Sequence, residues 1–135
     1  MAIRDYLIPA LKREFVGREI AFGEPPQPIA TFPACQENVG GVTIYDDGDE
    51  ATVCIEKITH GHFNRYDETL KGEEKAKVIA EDVVGFLKAL FSDRVLLQTN
   101  PDNGVGGWRI LDLEKAPSDL SSSYRYFLWS KPYKV

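Results

Sequence analysis

The chain has 135 residues, 43% of them hydrophobic, and a net charge of −5, which suits one domain, 1–135, burying about two thirds of its unfolded surface. The acidic balance opposes nonspecific attraction to nucleic acid or anionic membranes, and no apolar run approaches a membrane span. Arg4 and Asp5 interrupt any apolar leader, and Cys35 and Cys54 give neither a metal spacing nor a disulfide framework, so a cytoplasmic protein is expected.

In chain order, residues 2–16 read as a helix with Ile3, Leu7, Ala10, Leu11 and Glu14 along one side, interrupted or begun at Pro9 and ended near Gly17. The segment GEPPQP, residues 23–28, is a stiff connector, and its formal PxxP pattern is common by chance. Residues 29–34 form a short edge strand between Pro28 and Pro33. Asp47-Gly48 then signals a two-residue hairpin turn. With Asp46 facing Asp49, the register would place Ile44 opposite Ala51, Val42 opposite Val53 and Gly40 opposite Ile55 on one apolar face, with Thr43, Tyr45, Glu50 and Thr52 on the other. Thr59 to Tyr66 reads as a loop.

Asp67 to Ser92 carries the longest helical pattern. Ala76, Ile79, Ala80, Val83, Val84, Phe86, Leu87, Leu90 and Phe91 fall on one arc, opposite Glu74, Lys77, Glu81 and Lys88. Gly72 weakens its start, so the firm part begins near Glu73. Three strands follow, Arg94–Thr99, Trp108–Leu113 and Tyr124–Ser130, separated by NPDNGVGG and EKAPSDLSSS.

This order predicts an α+β fold: a two-layer sandwich in which a mostly antiparallel sheet of five to six strands is covered on one face by a long helix, about 70–92, and an N-terminal helix. The order of elements, the size and the acidity resemble the small chaperones of type III secretion over most of the chain. The aromatic strand YRYFLWS stands where those chaperones place a helix.

Few residues carry chemistry. His60-Gly61-His62 is the candidate metal motif, since side chains two apart on an extended backbone project to the same side about 6.5 Å apart. Cys54 and Glu56 share that side if the strand runs on, but Glu56 would then lie about 13 Å from His60. Asp46, Asp47, Asp49 and Glu50 form an acidic hairpin tip that lacks the ligand spacing of a calcium loop and suits a basic partner surface. The glycines of NGVGGW precede a strand rather than a helix, which favours a hairpin loop over a phosphate cradle. Only a spatial pairing of Cys54 with His60 would support nucleophilic catalysis.

The C-terminal aromatics, with Trp108, suggest a partner-binding patch of Trp108, Arg125, Phe127 and Trp129, because aromatic side chains and Arg dominate binding energies. The composition would also suit stacking on single-stranded nucleic acid, which the net charge disfavours. The expected function is therefore a non-enzymatic protein-interaction module of chaperone, adaptor or immunity type, without a cofactor and with a homodimer as one arrangement. The alternative is a metal-dependent hydrolase or metal-binding protein using His60 and His62.

Overall fold

The amphipathic stretch ending at Phe91 organises the molecule as its pattern dictates. In the computed structural model, which describes residues 2–64, 69–112 and 114–134, it forms α2 (Gly72–Phe91), with Glu73 and Glu74 in its first turn. Ala76, Ile79, Ala80, Val83, Val84, Phe86, Leu87, Ala89 and Leu90 are buried. Each large apolar side chain among them contributes about 1.5–3 kcal/mol by leaving water. Asp67 and Glu68, where the sequence pattern opened, lie outside the described residues.

The N-terminal helix α1 (Ile3–Glu14) packs along α2 and runs through Pro9 without ending there. Ile3, Leu7 and Leu11 are fully buried, and that anchoring offsets the backbone hydrogen bond that Pro9 removes. At the far end Lys88 Nζ lies 3.1 Å from Glu14 Oε2, and this lysine holds the Glu14 carboxyl below the usual range. Phe15, Phe32 and Phe91 meet with ring centroids 5.0–5.8 Å apart, locking both helices onto the sheet.

The fold is α+β, with the strands distributed over two antiparallel sheets. The first is a five-stranded meander of β1 (Ala21–Phe22), β2 (Ala30–Phe32), β3 (Val42–Asp46), β4 (Ala51–Ile55) and β5 (Thr59–Phe63). β5 occupies residues assigned to a loop from sequence. The Glu56–Ile58 turn carries no Gly or Pro to mark it, and the N–H of Ile58 closes it on the Ile55 carbonyl at 2.9 Å. The second sheet has the order β7-β6-β8-β9, built from β6 (Val95–Thr99), β7 (Gly106–Ile110), β8 (Arg125–Phe127) and β9 (Pro132–Tyr133).

The β3–β4 hairpin corrects the expected register. Asp46 pairs with Ala51, Ile44 with Val53 and Val42 with Ile55, so the connection holds four residues instead of two. Either primed two-residue turn needs positive φ at its first central position, here Asp47, and Asp93 is the only non-glycine described residue with positive φ. The loop closes instead through the Asp47 N–H on the Glu50 carbonyl and the Gly48 N–H on Asp46 Oδ1, both at 2.9 Å. A shift of two residues preserves side-chain parity. Val42, Ile44, Val53 and Ile55 therefore still face the core.

The two sheets meet where β7 runs beside β5. A Cβ at Gly106 would stand 1.8 Å from the Ile58 carbonyl oxygen, so only glycine permits this approach. The glycines of NGVGGW thus serve a hairpin, with Thr99 opposite Gly106, and close packing between the sheets.

Candidate functional site

Both helices lie on one face of the five-stranded sheet, where Ala30, Phe32, Val42, Ile44, Ala51, Val53 and Ile55 are buried. Alternation sends Thr31, Thr43, Tyr45, Thr52, Cys54, His60 and His62 to the opposite face. Two cross-strand rows result. One runs Thr31, Thr43, Cys54, His60, and the other Tyr45, Thr52, His62. Tyr45, His60 and His62 are exposed, while Thr52 in the centre is 8% exposed.

The His-Gly-His motif stands on β5 antiparallel to β4, so the straight extension that put Glu56 on the same strand as the histidines does not exist. His60 is opposite Cys54 and His62 opposite Thr52. The two imidazoles meet edge to face, centroids 5.1 Å apart. His62 alone joins further donors. Its Nδ1 lies 3.0 Å from Thr52 Oγ1 and 3.7 Å from Glu50 Oε1, and the Thr52 hydroxyl donates to the Asp47 carboxylate. Ligand atoms of Asp47, Glu50 and His62 all fall within 4.8 Å of one another. Two of these residues come from the acidic tip and one from the histidine motif, which the sequence shows as separate features. Only the fold-back at Glu56–Ile58 brings them together.

Gly61 has its own reason. Trp108 lies over it, its Nε1 3.3 Å from where a Cβ would sit, and the indole packs on Phe86 with centroids 4.6 Å apart. The glycine between the histidines therefore admits the indole on the core side of β5. The Cys54 thiol is pushed up by burial and then by the nearby Asp47 charge, which disfavours a thiolate. Beside Cys54 and His60 is a shallow hollow lined also by Glu56, Lys57 and Thr59. Cys35 and Cys54 are both free thiols.

The expected aromatic patch is not assembled on the surface. Phe127 and Trp129 are 7% and 3% exposed, and Trp129 packs on Phe91 with ring centroids 5.0 Å apart. Tyr126 and Leu128, on the other side of β8, are buried too, with Leu96, beneath Leu111, Leu120, Tyr124 and Tyr133. Strand alternation was legible, but the second cover was not: the segment bearing Leu111 and Leu120 folds back over the sheet, held by Arg109 Nη1, which donates to both Asp119 carboxylate oxygens at 2.9 and 3.1 Å. Arg125 is exposed and Trp108 is 37% exposed.

No described helix is long and apolar enough to cross a membrane. Comparison with known proteins finds no matching family model, curated protein or solved structure.

Proposed function

We propose that this chain is a non-catalytic binding module whose working surface is the uncovered face of the five-stranded sheet, and that its partner is a protein presenting basic side chains. The observation that carries the reading is the asymmetry of that sheet: both helices occupy one face, leaving Tyr45, Thr43, His60 and His62 to present the other. Tyrosine and histidine supply area with a polar tip at little entropic cost, as binding surfaces require. Asp46, Asp47, Asp49 and Glu50 at one end of this face, on a chain of net charge −5, favour a cationic counterpart and faster encounter with it. The aromatic C-terminal strand leaves the reading, since its Phe127 and Trp129 are core residues.

The test compares wild-type protein with Thr43→Arg and Tyr45→Ala, each verified as folded by circular dichroism, in cross-linking and co-purification from cells expressing the native chain. The reading requires a basic protein cross-linked to this face, retained at low salt, weakened about tenfold or more by Thr43→Arg and released as ionic strength rises. Partners bound identically by all three proteins would overturn it. A concentration-dependent dimer abolished by Thr43→Arg would instead assign the face to self-association.

A further inference from the structure

We propose that the β3–β4 loop and β5 together form a binding site for one divalent transition-metal ion, with Asp47, Glu50 and His62 as its protein ligands. This goes beyond the open-face reading and does not depend on it.

The donor set is mixed, which separates it from an acidic surface tip. Two carboxylates and one imidazole bring a charge of −2 with His62 neutral, matching a dication, and nitrogen with oxygen donors suits Zn2+ and its first-row neighbours better than Ca2+, which takes six to eight oxygens. Among the described residues neither Asp47 nor Glu50 is paired with a lysine or arginine. Spacing is near that of a coordination sphere. Tetrahedral ligands at about 2.1 Å from zinc stand about 3.4 Å apart. His62 Nδ1 and Glu50 Oε1 are already 3.7 Å apart, and the whole set, within 4.8 Å, closes by rotation of surface side chains.

The scaffold is more rigid than the exposure of the ligands suggests. Thr52 pairs directly with His62 and Ala51 with Phe63, so the β4–β5 ladder sets Glu50 against the imidazole. Thr52 is 8% exposed, and its hydroxyl orients Asp47 from beneath, the role that groups behind metal ligands commonly play. Asp46 is committed elsewhere, its Oδ1 accepting the Gly48 N–H. His60, although two residues from His62, points its ring edge to face against it and is not among the converging donors.

Zn2+ binding to protein purified without a histidine tag, followed by titration calorimetry and elemental analysis, tests the site. The expected result is one equivalent of Zn2+, with Asp47→Asn, Glu50→Gln and His62→Ala each weakening affinity about tenfold or more and the positioning variant Thr52→Val weakening it severalfold. His60→Ala should stay within about threefold of wild type. Absence of saturable binding in the wild-type chain overturns the proposal. So does equal weakening by His60→Ala and His62→Ala with Asp47→Asn silent, which would mark a surface imidazole pair, or tighter binding of Ca2+ than Zn2+, which would mark the acidic tip alone. None of these three outcomes bears on capture of a protein through Thr43 and Tyr45, so the two readings fail separately.

Discussion

The two sheets treat their second faces in opposite ways. The five-stranded sheet leaves one face to solvent and gathers there Tyr45, Thr52, Cys54, His60 and His62. The four-stranded sheet is covered twice, by the main core through Phe127 and Trp129 and by the returning segment over Leu96, Tyr126 and Leu128. Both contain strands that alternate in sequence. A strand that is polar on one side can rest against water, whereas YRYFLW offers aromatics on both sides and must find two covers. An aromatic-rich strand is therefore as compatible with double burial as with an exposed binding surface, and the segment that covers it decides between them.

The largest effect that would break this contrast lies in the covered sheet. Trp129→Ala should cost about 3–5 kcal/mol, because it empties a packed site against Phe91, whereas Tyr45→Ala on the open face should cost under about 1 kcal/mol. Urea denaturation of the two variants checks both, and comparable losses would mean that the open face is covered in solution. The junction between the sheets comes next. Gly61→Ala sets a methyl 3.3 Å from Trp108 Nε1 and should cost about 1–2 kcal/mol by displacing the indole, read as a shift in Trp fluorescence and in the urea midpoint. An unchanged emission spectrum and midpoint would show that β5 and β7 are not packed as described.

The smallest effect concerns the clasp that carries the second cover. The Arg109 hydrogen bond holds the Asp119 carboxyl below its ordinary value, so the pair's contribution is present above the unfolded carboxyl pKa and is lost as pH falls through the folded one. The gap in urea midpoint between wild type and Arg109→Ala should therefore be widest near neutrality and shrink as pH drops below about 4. A gap that stays constant on acidification would show that Arg109 acts through packing alone. The pair is solvent-exposed, so its effect stays small.

Much of the architecture was legible because it rests on local periodicity. The apolar arc of α2 and the buried set Val42, Ile44, Val53 and Ile55 follow from spacing alone, and even the wrong hairpin register kept the right faces, since an error of two residues leaves parity intact. Pairing between distant segments was not legible. The turn at Glu56–Ile58 has no turn residues to mark it, and that fold-back alone makes Thr52 the neighbour of His62 and brings Asp47 and Glu50 to it. By itself, then, the sequence determined both helices, the strands β2, β3, β4, β6, β7 and β8 within a few residues, their apolar faces and the acidity of the β3–β4 tip, but not β1, β5 or β9. The tertiary structure alone decided that Phe127 and Trp129 are core, that Gly61 exists for Trp108 and that one histidine of the pair meets two carboxylates. Periodicity records which way a side chain points relative to its own backbone, while burial and convergence depend on what another part of the chain places opposite it.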